Sequence, residues 1–479
     1  MLLYCKSRMG VQKLFLKGPY SGREHLPYKI SDFCYPIHYP DQKMKADSEQ
    51  MSEKKIRINR TEIVFQREPL IRPFGFKGGY MTEIWQTVIL LKSENSHAIG
   101  LGTQNVLWSD ADVFAGNSEM EANRLMFELS ACAVERLKGA EFVNPLDFLR
   151  ENFEAIHSEG IRLTGKQNLR KTFTLNALVP VDNALWTLYF RENGLTRFDQ
   201  IIPEKCRPAL SHRNKQVATI PLISYNVPVE EIRRIVDSGC FIMKIKIGQP
   251  GTQEEMLEKD MARLTEINDL IGNMRTPHTV DGRIPWYFDA NGRYEKKETL
   301  VKLLEHAEKI GMLPQIAIVE EPFPEEADID VHDLPVRLAA DESAHTPEDA
   351  VERMNRGYKA IALKPAAKTL SISMLMAQAA YERNIPCFCA DLTVNPILVD
   401  WNKSVAARLA PFPRLNTGLL ETNGGQNYLN WMKMKAFLPN QKAGWVEAKD
   451  GLFDTGEEFF NENGGIFDDS RYYYQLMNG

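Results

Sequence analysis

The sequence lacks any apolar run long enough to cross a bilayer, and its start, "MLLYCKSRMG", has neither the long apolar stretch nor the basic flank of a secretory signal. It also lacks an excess of basic residues. The 58 Lys and Arg stand against 64 Asp and Glu, and a net charge of −6 gives no electrostatic footprint for nucleic acid or an acidic membrane. We therefore expect a cytoplasmic protein with neither nucleic acid nor membrane among its partners.

Cysteine and histidine patterns typical of metal sites are missing as well. The seven cysteines include no C-x-x-C pair, and the nine histidines show no ligand spacing. Cys387 and Cys389 are alternate residues of one predicted strand, where a packing role is favoured. The sequence thus gives no indication of a zinc site, and its cysteine usage fits a reducing compartment.

The 479 residues divide into four segments by their patterns. Residues 1–54 have no clear period and are interpreted as an irregular extension, an arm for packing on a neighbouring copy in a homo-oligomer. Residues 55–217 begin with the strand-like runs "KIRINRTEIVFQ" and "TVILLKSENSHAIGLG", which predict an antiparallel meander, and continue with helical patterns over 117–138 and 181–193. Strands followed by segregated helices indicate an α+β domain.

Residues 218–424 have a different rhythm, in which short β-type runs alternate with amphipathic segments. The eight runs are "ATIPLISY", "FIMKIKIG", "IPWYFDANG", "QIAIVEEPF", "VRLAADES", "YKAIALKPA", "PCFCADLTV" and "PRLNTGLL". Eight βα units, with one insertion near 271–284, predict a TIM-like (β/α)₈ barrel. Residues 425–479 lose this rhythm, and we expect them to return to the α+β domain and complete a cap over the barrel.

Charged residues stand at the ends of five consecutive predicted strands, where barrel active sites lie. They are Lys244 and Lys246, Asp289, Glu320, Asp341 and Lys364. Because side chains alternate along a strand, Lys244 and Lys246 share one face and the apolar residues of "FIMKIKIGQP" share the other. Alone, this pattern fits a solvated strand face equally well, but five strands in succession indicate a ring of functional side chains.

Three of these residues are carboxylates on adjacent strands, with no histidine or cysteine among them. Asp289, Glu320 and Asp341 therefore form a hard-oxygen site suited to Mg²⁺, with Mn²⁺ as the alternative. Without a cation, the crowded carboxylates would repel one another. A small-molecule carboxylate is the expected substrate.

The lysines complete the predicted chemistry. Strands two and six are four apart in a ring of eight, so Lys246 and Lys364 should face each other across the barrel mouth. A lysine base must be neutral, and a cation, a neighbouring ammonium and burial all lower its pKa. Lys244 supplies such an ammonium and is also a candidate for binding the substrate carboxylate. Two bases beside a metal suit proton abstraction next to a carboxylate, through an enediolate intermediate.

In this order, the Lys-x-Lys, Asp-x-Asn, "VEEP", "ADES" and "LKPAAK" motifs resemble the enolase superfamily, muconate lactonizing enzyme subgroup. The close resemblance covers about 218–424. It implies that Asp289, Glu320 and Asp341 bind Mg²⁺ and that Lys246 and Lys364 form the acid/base pair. Glu320 is preferred to Glu321 because the family's ligand is the first glutamate. Asn291 and Lys244 are implied helpers, and Asp391 marks the end of strand seven.

The resemblance leaves the reaction open between two groups. Racemisation or epimerisation of a dipeptide or amino-acid derivative is favoured over cycloisomerisation or an elimination such as that of o-succinylbenzoate synthases. Dipeptide epimerases carry Asp-x-Asp on strand eight for the substrate ammonium, and the comparable stretch here is interpreted as "RLNTGLL", with Arg414 and Asn416 at those positions. That departure indicates an anionic or neutral substrate tail, unless Arg414 is only a surface charge.

Specificity is expected in loops of the first domain, "LIRPFGFKGGY" and "GTQNVLWSD". Phe74, Phe76 and Trp108 are either lid contacts or that domain's own core, and the lid is favoured for the two phenylalanines. Two other hypotheses about the function stay open. A Schiff-base lysine enzyme would leave the three carboxylates unexplained. A catalytically silent metal-binding barrel would not need intact lysines.

Overall fold

The computed structural model describes residues 54–76 and 79–478, so the extension predicted for residues 1–54 lies outside the described residues apart from Lys54. The strands are β1 (Ile56–Arg57), β2 (Arg60–Phe76), β3 (Gly79–Lys92), β4 (His97–Gln104), β5 (Glu141–Phe142), β6 (Gln216–Ile220), β7 (Leu222–Ile223), β8 (Met243–Lys246), β9 (Trp286–Asp289), β10 (Ile316–Glu320), β11 (Leu338–Ala340), β12 (Ala360–Leu363), β13 (Cys387–Cys389), β14 (Gly418–Glu421) and β15 (Leu452–Asp454). The helices are α1 (Val106–Ser109), α2 (Ala111–Ala115), α3 (Glu119–Leu137), α4 (Pro145–Thr164), α5 (Lys171–Glu192), α6 (Val229–Asp237), α7 (Gln253–Ile271), α8 (Lys297–Lys309), α9 (Pro347–Asn355), α10 (Pro365–Lys368), α11 (Leu370–Tyr381), α12 (Pro396–Ala406), α13 (Gly424–Asn427), α14 (Trp431–Lys435), α15 (Glu457–Asn461) and α16 (Arg471–Asn478).

The first domain is built on an antiparallel sheet of β2, β3 and β4, which confirms the predicted meander. β2 and β3 form a long hairpin that begins at the pair Arg60 and Lys92. The stretch 70–80, expected as a loop between strands, instead lies mostly within the two strands of this hairpin. Phe74 and Phe76, near the end of β2, therefore lie far along the hairpin from the pair Arg60 and Lys92.

Helix α5 begins ten residues before the predicted segment at 181 and contains Pro180. Nearly all its residues are buried, so it has no polar face from which a helical period could be read. β4 packs on it at unusually close range. A Cβ added to Gly100 would lie 1.9 Å from the carbonyl oxygen of Pro180, so a side chain at this position would separate the strand from the helix.

The barrel strands run parallel in the order β6, β14, β13, β12, β11, β10, β9, β8, β7. β6 and β7 are one strand interrupted at Pro221, whose missing N–H removes a ladder bond. Its first part pairs with β14 and its second part with β8, so the ring of eight closes. Each predicted β-type run overlaps one of these strands, and the first run overlaps both β6 and β7. The (β/α)₈ fold is thus confirmed.

The C-terminal tail contacts both domains. β15 adds to β6 in antiparallel orientation, outside the ring. Farther on, Tyr472 accepts a 2.5 Å hydrogen bond from Gln66 Nε2 of β2, and Asp469 pairs with Arg191 of α5 at 3.0 Å. The cap over the barrel therefore combines the N-terminal domain with the tail.

Helix ends follow local capping chemistry. Thr252 and Glu255 form a capping box at the start of α7, and Thr346 and Asp349 form another at α9. α4 ends at Gly165, whose φ of 69° is readily adopted only by glycine. Across the described residues, none of the helices combines the length and apolar character that a membrane span requires.

Candidate active site

One cavity lies at the C-terminal ends of the barrel strands, beneath Phe74 and Phe76 of the cap. Its lining residues are Phe74, Phe76, Asn105, Trp108, Leu222, Lys244, Lys246, Asp289, Asn291, Glu342, Lys364, Asp391, Leu392, Thr393, Glu421 and Asn423. Of the twelve site residues predicted from the sequence, eight line this cavity, and two more, Glu320 and Asp341, bond to the lysines that line it. Arg414 and Asn416 are not among them.

Lys244 is buried among three carboxylates. Its Nζ lies 3.0 Å from Asp289 Oδ2 and 2.8 Å from Glu320 Oε1. A third contact, of 3.1 Å, joins it to Glu421 Oε2. Burial opposes the charged form of Lys244, but the carboxylates outweigh it and raise its pKa well above the usual value. Lys244 is thus a permanent cation that connects β8, β9, β10 and β14.

Lys246 extends from the same face of β8, as the alternation predicted. Its Nζ is 2.6 Å from Asp289 Oδ2 and also donates to Asn291 Oδ1. Burial alone would raise the pKa of Asp289, but the ammonium groups of Lys244 and Lys246 outweigh it and lower that pKa to about 2. Asn291 has a φ of 46°, a conformation that Asn tolerates better than most residues. Its Nδ2 donates to Glu342 Oε1 over 3.0 Å.

Glu320, at the end of β10, accepts from Lys244 with one oxygen and from the Tyr287 hydroxyl with the other. It is completely buried. Burial, with Asp341 and Glu421 nearby, raises the pKa of Glu320 to about 8 in spite of Lys244. The positive charge around this carboxylate therefore does not outweigh its burial.

Asp341 lies between two lysines of the next βα unit. Its Oδ2 is 2.5 Å from Lys364 Nζ, and its Oδ1 is 3.2 Å from Lys368 Nζ. Burial raises the pKa of Asp341, but the two ammonium groups more than cancel this and lower it. In turn, Asp341 keeps the pKa of Lys364 above its usual value although burial opposes this, whereas burial prevails at Lys368 and lowers its pKa.

Lys368 was missed by the sequence reasoning, although it ends the "LKPAAK" motif. It stands four residues after Lys364, across the single turn of α10, and residues so spaced share one helix face. This spacing was a signal that could have been used.

Glu342 is a second residue that was missed. Its Oε1 accepts from Asn291 and from Trp108 Nε1 at 3.2 Å, and its Oε2 is buried without a partner among the described residues. Oxygens of Glu320, Asp341 and Glu342 lie within 4.8 Å of one another, a spacing that could hold a metal ion. Asp289 is not in this group of three, and Lys244 bonds to both Asp289 and Glu320.

The two glutamates of "VEEP" have different surroundings. Glu320 belongs to the group of carboxylates just described, whereas Glu321 turns away from it with a φ of 38°. Glu321 Oε2 accepts from the backbone N–H of Asp341 at 2.7 Å and from Ser343. Burial raises the pKa of Glu321 to about 7. Its contacts fix the backbone that presents Asp341.

The last two barrel strands supply the other wall of the cavity. Asp391 accepts backbone N–H bonds from Leu392, Val394 and Asn423, and burial raises its pKa to about 6. Glu421, the final residue of β14, receives Lys244 and the Asp391 N–H on Oε2. Among the described residues, its Oε1 accepts one hydrogen bond, of 3.4 Å from Asn423 Nδ2.

The prediction that Arg414 and Asn416 contact the substrate is wrong, because strand eight begins later than expected. β14 starts at Gly418, so Arg414 and Asn416 precede it and lie at the opposite end of the barrel. Arg414 bonds to Asp281 and to the Pro314 carbonyl there. The C-terminal end of β14 carries Glu421, and Asn423 follows it. The search for charged residues at strand ends would have found Glu421, but the predicted run "PRLNTGLL" ended one residue earlier, at Leu420.

The aromatic residues of the cap reach the cavity. Phe74 and Phe76 line it from the hairpin tip, as the lid interpretation expected, and both also pack on the cap's hydrophobic core. Trp108 places its ring 4.3 Å from Lys364 Nζ, measured to the ring centre. Residues of the cap therefore form part of the lining of the cavity.

Residues 228–418 match the family described as enolase C-terminal domain-like. The match lies within the barrel. The resemblance to the enolase superfamily predicted from the lysine and carboxylate motifs is thereby confirmed, and with it the prediction of an enzyme. No curated protein matches the chain.

Solved structures of the superfamily share the fold at low sequence identity. A dipeptide epimerase from Cytophaga hutchinsonii, complexed with Mg and the dipeptide D-Ala-L-Val, is 16% identical, with a TM-score of 0.58 over 84% of this chain and 97% of its own. A dipeptide epimerase from Enterococcus faecalis V583, complexed with Mg and L-Leu-L-Tyr, is 18% identical (TM-score 0.53; 76% and 90%). An N-succinyl Arg/Lys racemase from Bacillus cereus is 15% identical (TM-score 0.56; 78% and 89%).

Proposed function

We propose that this protein is a Mg²⁺-dependent racemase or epimerase that removes and returns the proton on the carbon next to a substrate carboxylate. One observation carries the proposal. Lys246 and Lys364 line the same cavity from strands that are four apart in a closed ring of eight. A substrate between them has one lysine on each face of its α-carbon, which is the arrangement that inversion of configuration requires.

The carboxylates support a hard divalent cation. Glu320 is buried with a raised pKa, and Glu342 Oε2 is buried without a partner in the described part of the chain. Asp289, Glu320 and Asp341 would hold Mg²⁺, with Glu342 close enough to take part. When bound, the ion supplies a positive charge that stabilises negative charge on the substrate carboxylate. Mn²⁺ is the alternative ion.

The chain's own groups then have distinct tasks. Lys246 takes the proton on one face, and Lys364 returns a proton on the other. Lys244 is fixed by three carboxylates. It keeps β8, β9, β10 and β14 in register and does not exchange protons. Phe74 and Phe76 cover the cavity and exclude water, which strengthens its electrostatic interactions.

The residues at the ends of β13 and β14, which form one wall of the cavity, support a class of substrate. Within the described part of the chain, Glu421 Oε1 accepts one long hydrogen bond, from Asn423 Nδ2, and can accept another from a substrate. A carboxylate there favours a substrate with an ammonium or amide N–H at its far end. We therefore propose a dipeptide or N-acylated amino acid with a free amino group, in place of the anionic or neutral tail inferred from Arg414.

A hydrogen-exchange screen tests the proposal. Dipeptides, N-acetyl and N-succinyl amino acids are incubated with the full chain and Mg²⁺ in D₂O, and loss of the α-proton signal is followed by NMR. We expect exchange with inversion for at least one free-amino dipeptide and none for a Lys246→Ala/Lys364→Ala control. Conversion to a new carbon skeleton would indicate elimination or cycloisomerisation. Absence of exchange for every compound would favour a silent barrel.

The expected homo-oligomer and cytoplasmic location remain predictions. Size-exclusion chromatography with light scattering would test the first.

A further inference from the structure

Arg170 joins the cap to the barrel beside residues that line the candidate active site. It immediately precedes α5, and its side chain is 13% exposed. Its guanidinium makes two parallel hydrogen bonds to the Glu325 carboxylate, from Nε to Oε1 at 3.0 Å and from Nη2 to Oε2 at 2.5 Å. Such a paired contact fixes the relative orientation of both groups. Glu325 lies in the segment after β10, and Arg353 of α9 holds this segment to the barrel by donating to the Glu325 carbonyl.

The guanidinium of Arg170 also holds the main chains of two residues that line the cavity, Trp108 and Glu342. Its Nη1 donates to the Trp108 carbonyl at 3.1 Å and to the Ser109 carbonyl at 3.4 Å. Its Nη2 donates to the Glu342 carbonyl at 3.3 Å. The side chains of Trp108 and Glu342 meet through the bond from Nε1 to Oε1. One guanidinium therefore fixes the backbone on both sides of that bond.

Trp108 needs such support because its own helix is very short. α1 has four residues, and a single helical turn is not stable by itself. The last carbonyls of a helix also lack partners within it, and Arg170 meets those of Trp108 and Ser109. The backbone N–H of Arg170 adds a bond of 3.0 Å to Oδ2 of Asp110, the next residue of the chain. Contacts with Arg170 thus replace the stability that the short helix lacks.

We propose that Arg170 is a positioning residue for proton transfer. By holding the main chains of Trp108 and Glu342, it keeps the indole ring on the ammonium group of Lys364. The inference rests on the proposed function, in which Lys364 exchanges a proton with the substrate. Arg170 is not one of the residues that line the cavity, so its effect passes through those that do.

Arg191, near the other end of α5, provides a matched control. Its guanidinium joins the cap to the C-terminal tail with the same chemistry, one carboxylate and two main-chain carbonyls. The partners are Asp469 at 3.0 Å, the Phe467 carbonyl at 2.6 Å and the His97 carbonyl at 2.7 Å. These residues lie outside the lining of the cavity. Arg170→Met and Arg191→Met therefore each remove a largely buried bridging arginine, but only the first is beside the candidate active site.

The kinetic test follows α-proton exchange by NMR, with a dipeptide that exchanges in the screen, at several substrate concentrations. Arg170→Met should lower kcat about five- to thirtyfold, as expected for loss of the Trp108 contact, with little change in KM. Arg191→Met should leave both constants unchanged. Because both changes act on one contact, Arg170→Met/Trp108→Leu should be only slightly slower than Trp108→Leu. Equal kcat values for the Met variants of Arg170 and Arg191, or independent effects in the double variant, would overturn the proposal.

Glu325→Gln gives a milder form of the same test if Arg170→Met does not fold, as judged by circular dichroism. It keeps the size of the side chain and removes the charge that orients the guanidinium. We expect the same pattern in smaller degree, a lower kcat with an unchanged KM. An unchanged kcat in Glu325→Gln would show that the ion pair does not position Trp108.

Fluorine NMR of the indole needs no substrate, so it separates failure of this inference from failure of the proposed function. The full chain is labelled with fluorotryptophan, and Trp108→Phe identifies the Trp108 resonance among those of the seven tryptophans. Arg170→Met should shift or broaden this resonance, and Arg191→Met should not. A shift without α-proton exchange in the unmodified chain would contradict the proposed function and support the placement of Trp108 by Arg170. An identical Trp108 resonance in all these proteins would refute the positioning role.

Discussion

The indole of Trp108 packs on the ammonium group of Lys364, with 4.3 Å between Nζ and the ring centre, while its Nε1 donates to Glu342 over 3.2 Å. Trp108 belongs to the cap and the other two residues belong to the barrel. This contact links the cap to the proposed acid/base pair, because an aromatic face stabilises the ammonium form of a lysine and limits where it can move.

Replacing Trp108 should therefore slow proton transfer. Trp108→Leu removes both the ring and the donor, and a loss of about 1–2 kcal/mol corresponds to about a five- to thirtyfold slower α-proton exchange. Trp108→Phe keeps an aromatic face and should lose less. The measurement is deuterium incorporation into a substrate from the screen, with circular dichroism to verify folding. Equal rates in the Leu variant and the unmodified protein would show that the ring has no role.

Two alternative sets of metal ligands can be separated by calorimetry with Mg²⁺. Asp289→Asn and Glu320→Gln should each weaken Mg²⁺ binding at least tenfold, because a hard cation depends on charged oxygen ligands. Glu342→Gln should cost less, since Glu342 Oε1 is already engaged by Asn291 and Trp108. If Glu342→Gln abolishes binding and Asp289→Asn retains it, the ion is held by Glu320, Asp341 and Glu342 instead.

Asp182 of α5 is predicted to make stability depend on pH. It accepts from the backbone N–H and the hydroxyl of Ser371 at the start of α11, and it is 3% exposed. Burial raises the pKa of Asp182 from 3.8 to about 6. Between pH 4 and 6 the folded protein thus holds a proton that the unfolded chain has lost, so the free energy of unfolding falls as the pH rises through this range.

The full effect at Asp182 is about 3 kcal/mol. Asp182→Asn cannot ionise, so its stability relative to the unmodified protein should increase between pH 4 and 6 and then level off. Urea unfolding at several pH values measures this difference. A difference that is constant with pH would show that Asp182 is ionised in the folded protein throughout.

The functional residues at strand ends could be predicted where the alternation of side chains along the strand determines the direction in which they point. The two lysines of "FIMKIKIG" share a face because side chains alternate, and no tertiary contact is needed to know it. The position of the eighth barrel strand, β14, was predicted wrongly, because residues 413–417 have a strand-like sequence but pair with the insertion instead. The left-handed conformation of Arg414 depends on that pairing, which joins chain segments more than a hundred residues apart and leaves no local signal.

The two lysines give the most direct test of mechanism, because they occupy opposite sides of the ring. If the reaction is an epimerisation, each lysine removes the α-proton of one enantiomer, while the opposite lysine delivers a proton to the other face of the α-carbon. Lys246→Ala should then abolish α-proton exchange for one enantiomer and keep some exchange for the other, and Lys364→Ala should show the reverse preference. Deuterium incorporation into each pure enantiomer, followed by NMR, measures both.

Lys244→Ala serves as the contrasting variant for this pair. Lys244 holds three buried carboxylates, and removing it leaves their charges uncompensated, so it should reduce stability and slow exchange of both enantiomers alike. In an elimination or cycloisomerisation one lysine is the base and its opposite an electrostatic partner, so one substitution would stop turnover and the other weaken it without stereochemical preference. If neither Lys246→Ala nor Lys364→Ala alters exchange on a proven substrate, the pair has a structural role and the proposed mechanism is wrong.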